Sequence, residues 1–444
     1  MLSTKKGLLS VLLILLALFI AACSGDSGSE NGASGDDEGN NAAENEGASE
    51  ENEEEVTIVY ATGVDTTGAT QRQIEVFEEE HPHINVEYRE MPADTGQQHD
   101  QYVTMFSSQS DEVDVFNGDV IWSAEFAQAN YAMELDRFIE ADGIDLEAHF
   151  NGPIQAGNYD GKQWSLPVYV NASFLYYRTD ITDTPPETWD ELIEQSEQLQ
   201  GEGGTEFGYL MQGSQYEGLV TNFVEIIASY GGNVIDENNN VVVNSPETIK
   251  GIEKLAEIVQ SDFVPGNILN FKEIETENAW IAGDSVFARN WTYMQSSSND
   301  EERSDVAGNV EIAPIPAGDE GTASALGGWM AMINRYSEHP EESWELVKFL
   351  SSAEGQKIGA VEGARAPTVE SIYDDPEVQE AGPLFSNPSF IEGLRTAVPR
   401  PVSPIYPEIS EIIQIEVSRV FTDEQTAEEA AENMQSKIEE AMME

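Results

Sequence analysis

Residues 56–91 read "VTIVYATGVDTTGATQRQIEVFEEEHPHINVEYREM", and their pattern changes twice. "VTIVYAT" (56–62) is β-branched and aromatic, the composition of a strand. "TQRQIEVFEEE" (70–80) predicts a helix, stopped by Pro82, which restricts the residue before it and brings no amide hydrogen. "INVEYREM" (84–91) returns to strand. Further on, a helix around "QYVTMFSS" (101–108) leads to a third strand at "VDVFNGD" (113–119). Strand, helix, strand, helix, strand at this spacing predicts a parallel sheet with crossover helices, an α/β fold. Ligands of such open sheets lie beyond the carboxyl ends of the strands. Asp119, closing the third strand, is therefore a placed candidate.

Later segments extend the pattern. "GKQWSLPVYVNASFLYYRTDI" (161–181) reads as a strand running out of one domain and into another. "PPETWDELIEQSEQLQ" (185–200) is a helix in which Thr188 and Glu191 have capping-box spacing. In "YEGLVTNFVEIIASYGG" (216–232), Leu219, Val220, Phe223, Ile226, Ile227 and Tyr230 recur at helical period, predicting one core-facing side ended by glycines. Strands follow at 284–291, 310–318 and 326–334. A helix over 342–360 and two more near the carboxyl end complete the order. A folded part of this length favours two domains over one.

The amino-terminal part carries no fold. Lys5 and Lys6 precede an apolar run, Gly7 to Ala22, which is shorter than the roughly 20 residues a spanning helix needs and reads as a signal peptide over 1–22. Ile20-Ala21-Ala22-Cys23 is the lipobox pattern of bacterial lipoproteins, in which the thiol is lipidated and the leader is cut before the cysteine. Cys23 is the only cysteine of the chain, which excludes an internal disulfide and a structural zinc site. Residues 24–55 are small, polar and acidic, the composition of an extended tether that builds no core.

The chain holds 84 acidic against 20 basic residues. Twelve of the acids lie in 24–55 and two of the lysines in the leader, leaving 72 against 18 in the folded part, a net charge of −54. Nucleic acid is disfavoured as a partner, because phosphate binding needs clustered Lys and Arg. Such an acidic coat suits high salt, where screening relieves self-repulsion.

No GxSxG, HExxH or CxxC motif occurs, and the nearest approach to a phosphate loop, Gly157 to Lys162, has the wrong spacing. The five histidines are scattered. No catalytic constellation assembles, and no cofactor is called for.

Seven stretches carry a resemblance: "DVIWSAEFAQANYAMELD" (119–136), "LPVYVNASFLYYRTD" (166–180), "PPETWDEL" (185–192), "QYEGLVTNFVE" (215–225), "GDSVFARNWTYM" (283–294), "LGGWMAMINRYSEHPEESWELVKFL" (326–350) and "VPRPVSPIYPEISEIIQ" (398–414). In these the sequence resembles the extracellular solute-binding proteins of ABC sugar importers, most closely the trehalose/maltose-binding branch. The resemblance implies a two-lobed periplasmic-binding-protein-like fold of the maltose-binding-protein type, with the ligand cleft between the lobes. On this expectation 56–167 and 314–366 form lobe 1, and 168–313 and 367–444 form lobe 2. It further implies a monomeric receptor, lipid-anchored at Cys23 on the extracellular face of the membrane, serving the transmembrane permease subunits of an ABC transporter. Its ligand would be an oligosaccharide or glucoside.

A pyranose has an apolar face that stacks on aromatic rings and a rim of hydroxyls that wants carboxylates, amides and Arg. Carried over position by position, the resemblance makes Asp119 a hydroxyl acceptor and puts Tyr169 and Asn171 on the crossing strand. It makes Trp291 and Tyr293 an aromatic wall, and the Gly328 amide and Trp329 a further contact. Arg400 becomes a donor to ring or hydroxyl oxygens, and Gln97 and Glu217 add polar contacts. Trp122, Trp189, Trp280 and Trp344 read instead as core or helix packing. The chain also departs from that branch. Asn171 replaces an acid, "GARAPT" (363–368) lacks an aromatic, and Asp65 and Thr66 stand where an acidic sugar contact is expected. These departures suit a smaller glucoside or one with its own carboxylate, such as a glucosylated acid. A surface glycoside hydrolase using a carboxylate pair and a receptor for another solute, such as a peptide or osmolyte, are the rival readings.

Overall fold

The computed structural model describes residues 55–92, 95–236 and 238–443. The leader, Cys23 and the acidic segment to residue 54 lie outside the described residues.

Strands β1 (Val56–Gly63), β2 (Ile84–Met91) and β3 (Val115–Asp119) form the expected parallel set, in the order β2-β1-β3. The helices Ala69–Glu80 and Thr95–Ser107 are its crossovers. In the first of these Gln73, Ile74 and Phe77 are buried on one side while the glutamates face water. That amphipathic division is what sets a surface helix onto a sheet.

A hairpin, β4 (Asn158–Tyr159) and β5 (Lys162–Gln163), follows. Its turn uses left-handed Asp160 and Gly161, so the stretch nearest to a phosphate loop is a tight reverse turn. Strand β6 (Leu166–Arg178) is the long one, and β7 (Phe207–Leu210), β8 (Ser285–Trp291), β9 (Val310–Ala313), β10 (Ser324–Ile333) and β11 (Ala397–Val398) complete the set.

The sheet runs β2-β1-β3-β10-β6-β8-β7, with β11 beside β10 and β9 beside β6. Two strands join its halves. β10 pairs with β3 through Trp329–Ile333 and with β6 through Leu326–Ala331. The other end of β6, from Ser173 to Arg178, pairs with β8 and β9. The chain therefore passes between two α/β lobes on β6 and β10, and their register shifts between Trp329 and Met330. One core packs Ile58, Phe77, Val115, Leu166 and Trp344 between the β2-β1-β3 half and its helices. A larger one extends from Phe106 through Phe174 and Tyr176 to Phe223 and Leu255. Each such side chain, fully buried, contributes about 1.5–3 kcal/mol.

Three local expectations need correction. The helix expected over 216–232 is Glu217–Ser229, and it is buried nearly all round, with Asn222 and Glu225 inside as well as the apolar face. It packs against the helices Pro246–Val259 and Tyr406–Phe421 and against β10 and β11, which leaves only Glu217 and Ala228 partly exposed. The helix expected over 342–360 is two, Pro340–Ser351 and Ala353–Gly363, broken at Ser352, whose hydroxyl accepts from the Gly355 amide. Thr188 does cap its helix by accepting from the Glu191 amide at 3.2 Å, but the Glu191 carboxylate reaches back to the Glu187 amide, one residue before the cap. Trp122, Trp189, Trp280 and Trp344 are all buried.

Candidate ligand-binding face

Four strands of the sheet are buried almost throughout, and all of their few exceptions but Tyr177 fall together. β3 is open only at Asp119, β8 only at Trp291 and β10 only at Trp329. β6 is open at Tyr169, Asn171 and Tyr177. Trp329 is the pairing partner of Asp119 on one side and Tyr169 on the other, and Asn171 pairs with Gly327. Paired residues of an antiparallel ladder project from the same face, and alternate residues share it. Asp119, Trp329, Tyr169 and Asn171 therefore stand side by side. Trp291 joins them from β8, since its ring lies 3.3 Å from where a Cβ on Gly327 would sit, with Asn171 at 3.5 Å.

Glycine is required at the centre. Gly328 has φ +135°, and a Cβ there would meet the Tyr169 carbonyl oxygen at 2.4 Å. The missing side chain lets β10 press against β6 where the register shifts. The Gly328 carbonyl accepts from the Val120 amide at 3.2 Å, fixing the segment after Asp119.

A polar cluster borders this face. The Arg400 guanidinium, 7 % exposed, donates to Glu217 at 2.8 Å and reaches Asp119 at a long 3.5 Å. Glu217 also accepts from the Tyr406 hydroxyl and from Ser410 Oγ at 2.5 Å. Glu217 is thus the main partner of Arg400 and is also tied to Tyr406 and Ser410, with 37 % of its side chain still exposed. Burial raises the Asp119 carboxyl above its ordinary value, against the opposing pull of Arg400 and the Ile121 amide. Burial opposes the charge of Arg400, but Tyr406, Glu217 and Asp119 together hold it firmly protonated. Arg400 Nε is buried without a partner, a donor left unused inside the cluster.

The remaining expected residues lie at the margins. Tyr293, 46 % exposed, follows Trp291 by two residues, and burial of part of its ring raises its hydroxyl to about 12. Gln97 is on the exposed side of the helix Thr95–Ser107, whereas its neighbour Gln98 is buried and donates to the Asn117 carbonyl at 3.2 Å. Asp65 does not face a ligand. It accepts from Thr67 and Thr70 and pairs with Arg365 at 3.1 Å, and although burial pushes the other way, these bonds hold its carboxyl well below the usual range. Arg365, in the loop that lacks an aromatic, has its guanidinium 5.4 Å from the Tyr169 ring centre. Sequence reasoning missed Arg365 and also Tyr406. The one available signal for Tyr406 was its place in "PVSPIYP", six residues after Arg400.

Two cavities adjoin the cluster. One of about 300 Å³ is walled by His99, Ile121 and Trp122 on one side and Tyr406 and Pro407 on the other. The larger, about 810 Å³, touches the cluster at Arg400 and otherwise runs along the 158–161 hairpin and the 231–236 loop, away from both indoles. Among the described residues, no group of three or more His, Cys, Asp or Glu side chains is arranged to hold a metal ion.

Two α/β lobes bridged by crossing strands, with indoles, a carboxylate and a guanidinium gathered at the crossing, define a solute receptor. Residues 61–357 match the bacterial extracellular solute-binding proteins. The chain belongs to that family. It is similar to a probable ABC transporter-binding protein of Deinococcus radiodurans, 31 % identical over 351 residues, covering 76 % of this chain and 82 % of that one. Among solved structures it resembles maltose-bound MalE3 of T. maritima, with a TM-score of 0.71 and 33 % identity over 86 % of this chain and 99 % of that one. The fold is shared with the GacH receptor of Streptomyces glaucescens, solved unliganded and with acarbose, at a TM-score of 0.70 and 23 % identity, covering 87 % and 98 %.

Proposed function

We propose that this chain captures a maltose- or trehalose-type disaccharide, or a related glucoside, by closing its two lobes, and delivers it to the permease of an ABC transporter. One lobe is 56–167 with 314–366, and the other is 168–313 with 367–444. Lipidation at Cys23 holds the receptor on the outer face of the membrane, with 24–55 as its tether. The observation that carries the reading is the set of exceptions on four buried strands: Asp119, Tyr169, Asn171, Trp291 and Trp329 share one face, and Arg400 borders it. Indoles suit the C–H face of a pyranose, and the carboxylate and guanidinium suit its hydroxyls. The maltose carried by T. maritima MalE3 is consistent with this ligand class.

The cycle is binding without chemistry. Sugar touching both lobes only when they are closed shifts the population toward the closed form, which the permease recognises. The relatives are binding proteins, in keeping with a receptor and not a hydrolase.

The test titrates maltose, trehalose, glucose and a glucosylated acid into the purified chain in molar salt, followed by tryptophan fluorescence and calorimetry. A saturable response to a neutral disaccharide, strongly weakened in Trp291→Ala and Asp119→Ala, is expected. A response to the glucosylated acid alone would move the ligand class and make Asn171 and Arg400 the selective residues. Silence from all four would remove the sugar reading, and release of monosaccharide would restore the hydrolase. Cys23→Ser should move the protein from the membrane fraction to the medium.

A further inference from the structure

We infer that the buried Arg289–Glu225 ion pair positions the indole of Trp291, making Arg289 and Glu225 positioning residues for the ligand face. Arg289 and Trp291 are alternate residues of β8 and share a side, with the guanidinium carbon 4.8 Å from the indole centre. Arg289 is fully buried and Glu225 is 1 % exposed. The guanidinium gives Nε and Nη2 to the Glu225 carboxylate, Nη1 to Gln212 Oε1 at 2.8 Å and Nη2 to Thr221 Oγ1 at 3.3 Å. A planar fork held at this many points has one orientation, and an indole with that cation over its ring is steered by it.

Glu225 gathers more than Arg289. It accepts from Ser173 Oγ on β6 and from the Ala325 amide on β10 at 3.1 Å. Ser173 is also the pairing partner of Trp291. One carboxylate therefore ties together the three strands that carry Asn171, Trp291 and Gly327. The backbone of Trp291 is held as well, its amide donating to Asn290 Oδ1 at 2.9 Å and its carbonyl accepting from the Tyr176 hydroxyl at 2.9 Å. Main chain and ring are thus both held from within the protein, while Trp291 is the one residue of β8 that is not fully buried.

Stability alone gives no reason for such a pair. Removing two charges from water offsets most of their attraction, and apolar residues of similar volume serve a core as well or better. What an apolar pair lacks is direction. The inference rests on the reading of Trp291 as a ligand platform, so its test needs a signal independent of sugar.

That signal is the ¹⁹F resonance of Trp291 in the whole chain labelled with 5-fluorotryptophan, assigned by Trp291→Phe. Arg289→Lys keeps the charge and loses the fork. It should shift or broaden the Trp291 resonance, leave those of the other tryptophans in place, and raise the maltose dissociation constant about tenfold. On a Trp291→Ala background the same change should add less than about twofold. An unmoved Trp291 resonance, or a full further loss of affinity on that background, would overturn the inference. Should Arg289→Lys not fold, Thr221→Val removes the 3.3 Å bond from Arg289, together with the hydroxyl's own 2.8 Å bond to the Gly218 carbonyl, and keeps the ion pair. A shifted Trp291 resonance in it supports the inference, and an unshifted one refutes it. If Trp291→Ala leaves maltose binding intact, or maltose does not bind, the platform reading fails, and the fluorine spectrum still decides whether Arg289 sets the ring.

Discussion

Replacing Gly328 with alanine should separate the packing of the crossing strands from the ligand face they carry. Its φ of +135° is a conformation that side chains rarely adopt, and the new Cβ would lie 2.4 Å from the Tyr169 carbonyl oxygen and 3.0 Å from the Val170 Cα. Both neighbours are backbone of β6, so no side chain can swing away. β6 and β10 would have to part by about 1 Å to restore ordinary contact. Backbone strain of about 1–3 kcal/mol and overpacking of a similar size give a loss of roughly 2–6 kcal/mol. That is a large share of the roughly 5–15 kcal/mol typical of a folded protein. The adjacent Gly327→Ala provides the contrast. Gly327 is not among the positive-φ glycines, and its Cβ would meet the edge of the Trp291 ring at 3.3 Å. That contact is with a side chain and 0.9 Å longer than the one at Gly328, so a few tenths of an ångström of ring displacement relieves it, and stability should fall by about 1 kcal/mol while sugar affinity drops. Urea unfolding and maltose calorimetry on both variants decide the matter. A Gly328→Ala protein within about 0.5 kcal/mol of the parent, or a Gly327→Ala protein equally destabilised, would refute the reasoning.

Three further outcomes are expected. Arg400→Met leaves Asp119 and Glu217 facing one another without their cation. Glu217 is 37 % exposed and Asp119 21 %, so solvent screening reduces the cost below that of a fully buried pair. About 1–2 kcal/mol in urea unfolding is expected, with loss of sugar affinity at all pH values; unchanged affinity would remove Arg400 from the site. His149, whose Nδ1 lies 2.7 Å from Thr368 Oγ1, is lowered by burial from 6.5 to about 4. Its native form binds protons less readily than the unfolded chain, so stability is full above the unfolded pKa and falls as pH drops from about 6.5 to 4, by at most about 3 kcal/mol. His149→Gln should flatten that part of the pH profile, and an identical slope would contradict it. The net charge of −64 predicts a thermal midpoint that rises from low to molar salt, and a constant midpoint would show that self-repulsion does not limit this fold.

Much of the architecture was legible in the order of residues because local signals agreed. The β-branched run at 56–62, Pro82 and the second strand at 84–91 report the β1-helix-β2 unit through propensity and a missing amide, both local properties. Asp119 became a candidate from its place at the end of a strand. Trp291, Trp329 and Arg400 were reached through a resemblance, because an indole or guanidinium carries the same local signal in a core as in a site.

Tertiary structure alone decided the rest. Asp65 and Asp119 are both acids at or just after a strand end, yet Asp65 is saturated by Thr67, Thr70 and Arg365, while Asp119 accepts from the Ile121 amide, has only a long 3.5 Å contact to Arg400 and stays 21 % exposed. The helix Glu217–Ser229 has an amphipathic face by period but is buried along nearly its whole length, Glu217 and Ala228 excepted. Arg289 and Glu225 are 64 residues apart and meet beneath Trp291. A local pattern states which conformations a segment prefers. Which polar atoms find partners, and which are left for a ligand, depends on elements distant in sequence that arrive only when the chain has packed.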